Sequence, residues 1–320
     1  MRLTRNRRLA NVGAGMKQWS VTVTAAIAVV VVTTAASAWL EAANQQPAAP
    51  TSASVMAAMT DADWRPIDPE QTIYLELATG RVVIELAPEF APAHAANVKA
   101  LAREGYFDGL TINRVQDNYV VQWGDAAAAG QRRPIKSAKP SLAAEFDRAI
   151  DPAIAITSSP DRDVYAAETG WWRGFPVARD PASGQQWIVH CYGTLGSARG
   201  NAADSGGATQ LFVVIGHSPR HLDRNDTAFG RVVQGIEVLS VLPRGTGPLG
   251  NYERAEQRIP IKRVRVAADV PEAERAKVQV MRTDTPRFRE YIEARRTRTE
   301  EWFKHSASRI EVCNVPVPAR

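Results

Sequence analysis

Apolar side chains alternate with their neighbours in two short runs, Ile73, Leu75, Leu77 and then Val82, Ile84, Leu86, with Thr79-Gly80 between them. A period of two is that of a strand with one buried face, so Thr72 to Leu86 predicts a β-hairpin. The spacing then changes. Pro92 suits a first helical turn, Val98 and Leu101 share a helical face, and Gly105 suits a helix end, which predicts a helix over Pro92 to Glu104.

Short strand patterns follow at Thr111–Val115, Tyr119–Trp123, Ala153–Thr157, Trp187–Cys191, Gly193–Ala198, Leu211–Ile215 and Thr227–Arg231. A short helix near Gly235 to Leu242 and a last strand, Ile259 to Val266, complete the set. Many short strands and few helices predict a closed or nearly closed barrel. Two regions stand outside the pattern. Asp161 to Gln186 reads as a long Gly- and Pro-containing loop carrying Trp171-Trp172, either an interaction site or packing for the barrel rim. Pro286 to Phe303 reads as an amphipathic helix, with Phe288, Tyr291, Ile292, Thr299 and Trp302 on the face that docks against the barrel.

The N-terminus has a basic region, an apolar run from Val21 to Ala38, and Ala36-Ser37-Ala38 at its end, the order of a secretory signal. Trp19 to Leu40 is also long enough to span a bilayer, so residues 19–40 are a cleaved signal or an inner-membrane tether. Either way the body is placed outside the cytoplasm, in the periplasm or its equivalent. The expected organisation is a signal or anchor over 1–40, a flexible linker over 41–66, a barrel over 67–268 with an insertion at 161–186, and a helical extension over 269–320.

Composition removes several function classes. The net charge of +5 is supplied by Arg2, Arg5, Arg7, Arg8 and Lys17, and the rest of the chain holds 34 basic and 34 acidic residues. A nucleic-acid binder carries its excess in the folded domain, so no nucleic-acid partner is expected. No glycine-rich nucleotide fingerprint follows a strand. The two cysteines, Cys191 and Cys313, and the five scattered histidines form no metal-ligand spacing, and neither metal nor cofactor is expected. In an oxidising compartment the cysteines could pair, but sequence leaves their distance open.

A series of fragments then resembles one family. Phe107-Asp108-Gly109, Ile112-Asn113-Arg114-Val115 and Tyr119-Val120-Val121-Gln122-Trp123-Gly124-Asp125 are similar to the signature of the cyclophilins. Glu145-Phe146, Gly193-Thr194-Leu195, Ala208-Thr209-Gln210-Leu211-Phe212, Leu222-Asp223 and Phe229-Gly230-Arg231-Val232 continue the likeness in order. The resemblance implies a mainly β fold, an eight-stranded antiparallel barrel capped by two helices, and isomerisation of peptide bonds before proline in polypeptide substrates. Carried over by motif, Arg114 matches the catalytic arginine. Tyr119, Val120, Phe212 and Leu222 match a proline pocket, and Gln122, Gly200, Asn201 and Gln210 match groups that hold the substrate backbone.

The sequence also departs from the family at this pocket. His221 stands where a Trp is frequent, Asp226 where a pocket His is, and Trp123 where a Gly is usual. His221 and Asp226 are kept as substrate-binding candidates, and Asp226 could draw Arg114 away from substrate. These changes keep open a second reading, a proline-peptide-binding chaperone or envelope scaffold with little turnover.

Overall fold

The computed structural model describes residues 49–127 and 131–320. The expected signal or tether, residues 19–40, lies outside the described residues. Helix α1 (Ser52–Ala57) and strand β1 (Trp64–Pro66) come first, then the hairpin β2 (Thr72–Leu77) and β3 (Gly80–Leu86). Helix α2 (Pro92–Arg103) leads to β4 (Thr111–Val115) and β5 (Val120–Gly124). Five strands of a separate sheet follow: β6 (Arg148–Ala149), β7 (Thr157–Ser158), β8 (Glu168–Trp172), β9 (Phe175–Asp180) and β10 (Gln185–Ile188). The chain returns through β11 (Thr194–Ser197), β12 (Gln210–Val214), β13 (Thr227–Gln234), helix α3 (Ile236–Ser240) and β14 (Ile259–Val266). It closes with β15 (Gln279–Met281) and helix α4 (Pro286–Thr297).

Eight strands close into an antiparallel barrel in the order β11-β12-β5-β4-β14-β2-β3-β13. Alternation decides what fills it. Ile73, Leu75, Ile84, Val121, Trp123, Leu211, Val213 and Phe229 turn inward into one apolar core, joined by Val98 and Leu101 of α2 and Leu239 of α3. Glu145 fixes the start of α2 by accepting from the backbone N–H groups of Ala93 (3.0 Å) and His94 (2.9 Å). The alternate positions of β5 and β12 point outward, and that outer face carries the site described below.

The insertion is a sheet rather than a loop, in the order β6-β10-β9-β8-β7. Trp187, expected in a barrel strand, belongs to β10 of this sheet. Periodicity places a side chain on a face but cannot name the partner strand. Trp171 and Trp172 separate for the same reason. Trp171 is buried against Phe288 of α4 (ring centroids 5.5 Å), while Trp172 meets Phe90 edge-on at 5.6 Å.

The tail and the N-terminal stretch complete a second core. Val55, Trp64, Trp171, Trp187, Phe288, Ile292, Val312 and Val315 pack together in it. Residues 51–66, expected as linker, are therefore ordered. Thr51 and Ser54 cap α1 reciprocally and β1 pairs with β15. The segment folds here because the tail supplies the surface that its Val55, Met56, Met59 and Trp64 cover. Helix α4 docks on this second core and stops at Thr297, where Arg298 adopts a left-handed φ of 50°. Trp302, expected on the docked face, is 81% exposed beyond that stop. Cys191 and Cys313 are joined by a disulfide. Among the described residues no helix is long and apolar enough to cross a membrane.

Candidate active site

Arg114 sits at an irregularity in β4, where the register with β5 shifts between Ile112 and Arg114. Its guanidinium is held from three sides. Nε donates to the carbonyl of Leu249 at 2.7 Å, Nη1 to Gln122 Oε1 at 3.0 Å, and Nη2 to Gln116 Oε1. All three acceptors are neutral, so the group is oriented without its charge being cancelled. A guanidinium has five N–H donors, which leaves N–H groups for a further acceptor.

Gln122 connects Arg114 to the next strand. Its Nε2 donates to Gln210 Oε1 at 2.9 Å, and Gln210 Nε2 donates to the carbonyl of Asp125 at 2.8 Å. Each amide is thus fixed at both ends, which makes the arginine's position depend on backbone rather than on a mobile side chain.

Beside this polar row lies an apolar floor. Val120, Phe212 and Val214 form a small cluster on the outside of the barrel, joined by Tyr119, Ala198 and Leu222. The Phe212 ring lies flat over Gly196, where an added Cβ would stand 2.3 Å from its Cζ. His190 stacks on Phe212 (6.1 Å, 14°) and is oriented by Asp223, whose Oδ1 lies 3.0 Å from Nδ1. Tyr119 stacks on His221 (6.0 Å, 13°), and Arg114 lies 5.6 Å from the Tyr119 ring centre.

Arg114, Tyr119, Val120, Gln122, Phe212, Leu222 and Asp226 line one cavity of about 200 Å³, together with Ala198 and Arg199. A larger hollow of about 520 Å³ lies between Ile67, Tyr74 and Val278, but its lining holds no paired amides beside a fixed guanidinium and an apolar floor. Gly200 and Asn201 fall outside the cavity. They lie exposed beyond it, and their carbonyls accept from Arg199 Nη1 at 2.8 and 3.3 Å. Gln210 supports from behind, and His221 forms the rim. Trp123 faces the barrel core, so its ring changes the interior and not the cavity. Asp226 lines the cavity but is not among the hydrogen-bond partners of Arg114.

The family model described as cyclophilin type peptidyl-prolyl cis-trans isomerase/CLD matches residues 72–266, which span the barrel from β2 to β14. The chain belongs to the cyclophilin family. A probable peptidyl-prolyl cis-trans isomerase of Brucella suis is 27% identical over 179 residues, 56% of this chain and 74% of that protein. The human peptidyl-prolyl cis-trans isomerase-like 1 is 25% identical over 216 residues, 68% of this chain and 99% of that protein. The crystal structure of cyclophilin AquaCyp293 from Hirschia baltica superposes with a TM-score of 0.65 at 30% identity, covering 85% of this chain and 97% of that one. This cyclophilin is accordingly a peptidyl-prolyl cis-trans isomerase.

Two cavity residues escape the motif reading. Ala198 and Arg199 occupy the place expected for Gly200 and Asn201, two positions earlier. The signal for Ala198 is the alternation along β11: Leu195 and Gly196 point to opposite sides, so Ala198 follows Gly196 onto the cavity face. Arg199 is held by the carbonyl of Asn225, at 2.9 Å from Nε and 2.6 Å from Nη2, and lies over the Phe146 ring. No motif marked it.

The contact of Gly196 with Phe212 gives a first expectation. Gly196→Ala will tilt the Phe212 ring into the cavity, because the opposing β13 prevents the strand from yielding. KM for a proline peptide should rise about tenfold with a smaller change in kcat. An unaltered KM in a folded variant would remove Phe212 from the binding surface.

Asp226 gives a second. Burial pushes its carboxyl up to about 6 from the usual 3.8, against the opposing influence of His190, the Thr227 N–H, Arg199 and His94. The folded-state value is the higher, so the proton is held more tightly in the folded protein. The resulting stability is complete below 3.8 and is lost as pH rises through about 6. Across that window the wild type should lose thermal stability relative to Asp226→Asn. It should also bind proline peptides more tightly at about pH 5 than at about pH 7.5, because a neutral carboxyl is the easier to desolvate. A constant difference between the two proteins across the window would show that Asp226 ionises as if in water.

Proposed function

We propose that this cyclophilin isomerises X-Pro bonds in exported polypeptides, with Arg114 stabilising the twisted peptide bond. The observation that carries the reading is the guanidinium of Arg114, fixed by neutral acceptors beside an apolar floor.

A peptide bond resists rotation by about 18–20 kcal/mol because the nitrogen lone pair is shared with the carbonyl. At the perpendicular geometry the sharing is lost and the nitrogen becomes an acceptor. A donor that waits at that position binds the twisted state more strongly than either planar one, and such differential binding lowers the barrier. Arg114 is suited to this because Gln122, Gln116 and Leu249 have already oriented it, so little reorganisation remains for the transition state. Val120, Phe212 and Leu222 would seat the proline ring. Tyr119 and His221 would border the residues on one side of it. The one N–H of Arg199 not committed to Asn225, Gly200 or Asn201 would meet a substrate carbonyl. No nucleophile or proton relay is needed.

Export is supported by the basic, apolar and small-residue order of the N-terminus and by the Cys191–Cys313 disulfide, a bond that persists in oxidising compartments. The reading is tested by exchange NMR on short X-Pro peptides with the full chain, and by cell fractionation. Accelerated exchange and an extracytoplasmic location are expected. No acceleration by the folded protein, across several residues before proline, would transfer the assignment to a proline-peptide-binding module, which the substitutions at His221 and Asp226 favour. Recovery in the cytoplasm would sink the export proposal.

A further inference from the structure

Arg231 has no role in the site above, yet it is among the most enclosed charges in the molecule. It stands in the stretch Phe229-Gly230-Arg231-Val232 on β13. Arg231 stands opposite Glu85, whose neighbour Ile84 faces the barrel core, so it projects outward. Phe229, two positions earlier, still faces the core because a register shift in β13 interrupts the alternation there. On an uncovered barrel that position would meet water. Here Gly174 and the Phe175 ring of the inserted sheet lie against its guanidinium, and only 9% of the residue remains exposed.

A structural arginine in this setting would be expected to pair with a carboxylate. The candidate is Glu85, but both of its oxygens are already taken by Arg65, at 2.6 and 2.9 Å. The nearest approach of Arg231 to it is 3.6 Å, too long for a hydrogen bond. Two cations thus share one buried anion, and the Nε and Nη2 of Arg231 are enclosed without a hydrogen-bond partner. A buried charge compensated only by a shared carboxylate at 3.6 Å and by the face of the Phe175 ring 5.4 Å away is among the costlier features a fold can carry. Burial, and then repulsion from Arg65, depress its pKa to about 10, against the pull of Glu85.

The surroundings say what would match it. Arg231 lines a cavity of about 230 Å³ whose wall also includes Tyr192 and Pro316. The remaining wall is mostly apolar, with Ile236 and Val232 on the barrel side and Val312 and Val315 on the tail side. The Cys191–Cys313 disulfide holds the two sides together. Gly174 permits the close fit, because a Cβ there would lie 2.7 Å from Nη2.

We propose that this cavity binds a small monocarboxylate with a short apolar tail, its carboxylate on the Arg231 guanidinium and its tail among Ile236, Val312 and Val315. A planar guanidinium presents two parallel N–H groups that fit a carboxylate, and few precisely placed polar groups in an apolar pocket are the usual makings of a small-molecule site. The site is on the outside of β13 and shares no lining residue with the proline cavity, so it stands whether or not Arg114 is catalytic.

The test is an NMR and calorimetric titration of the full chain with hexanoate, acetate and hexan-1-ol. Saturable binding of hexanoate is expected, with acetate and hexanol each much weaker. Arg231→Gln should weaken hexanoate by at least about tenfold and leave prolyl isomerisation unchanged. Ile236→Phe, which keeps the charge and fills the apolar end, should weaken hexanoate while sparing acetate, and it answers the question if Arg231→Gln does not fold. Equal binding of hexanoate and hexanol, or equal binding of hexanoate to wild type and Arg231→Gln, would overturn the proposal. So would the absence of any saturable hexanoate binding.

Discussion

Replacing Arg114 by alanine will lower kcat for an X-Pro peptide by about 10²- to 10³-fold, the size of effect seen when one preorganised transition-state donor is removed. KM should change little, because the donor acts mainly on the twisted state and the proline ring is held by Val120, Phe212 and Leu222. Arg114→Lys keeps a charge but cannot reach Leu249, Gln116 and Gln122 together, so it should recover only a small part of the loss. The check is exchange NMR with near-UV circular dichroism on each variant. A folded Arg114→Ala protein that keeps its kcat would exclude Arg114 as the catalytic residue. Removal of this arginine frees Gln122 and Gln116 to reorient, so Gln122→Ala should lower kcat less, by loosening the arginine rather than deleting it. The reverse split, KM raised and kcat kept, marks Gly196→Ala, and the pair of variants separates chemistry from seating.

The second large effect concerns stability. Breaking the Cys191–Cys313 bridge by replacing both cysteines with alanine will destabilise the protein by about 2–5 kcal/mol. The two residues are 122 positions apart, and the entropy of closing so long a loop in the unfolded chain puts the estimate near the top of that range. Alanine avoids leaving a hydroxyl in the second core, where Cys191 is buried. The urea midpoint should fall by about 1–2 M. Prolyl isomerisation under native conditions should persist, because the proline cavity is built from barrel strands and the Leu222 turn, not from the tail. An unchanged midpoint would mean that packing of Phe288, Ile292 and Val315 alone secures the tail. A loss of activity without a change in midpoint would instead tie the tail to the cavity through Arg220, which binds Glu311 at 2.9 Å and Asp223 at 2.7 Å.

What could be read ahead of the structure followed from local rules. Alternation placed the hairpin Thr72–Leu86 and strand β14 at their observed bounds, and capping preferences placed α2 within a residue. The motif around Arg114 brought together seven residues that share one cavity. A period of two puts Val120, Gln122 and Phe212 on the outer face of the adjacent strands β5 and β12, while Arg114 reaches that face through the register shift in β4, which alternation alone does not predict. The misses share a cause as well. The second core depends on contacts between residues more than a hundred positions apart, such as Trp171 with Phe288, and the five-stranded sheet pairs β6 with β10 across the strands between them; no local pattern names such partners. Gly200 and Asn201 were displaced from Ala198 and Arg199 because the intervening segment is small and polar and offers no period to anchor an alignment. Trp302 continued the helical spacing of α4 on paper. The left-handed turn at Arg298 ends the helix first.

The bridge also changes what a cut would do. Between Cys191 and Cys313 the chain forms a covalent ring containing β11 to β15 and α4. Its exposed stretch around Trp302 is the kind of segment a protease reaches. A single nick there opens the ring without releasing either piece. Without reductant the nicked protein would keep the mass of the whole chain, with reductant it would lose a short C-terminal piece, and until then both pieces would stay in register on the same barrel.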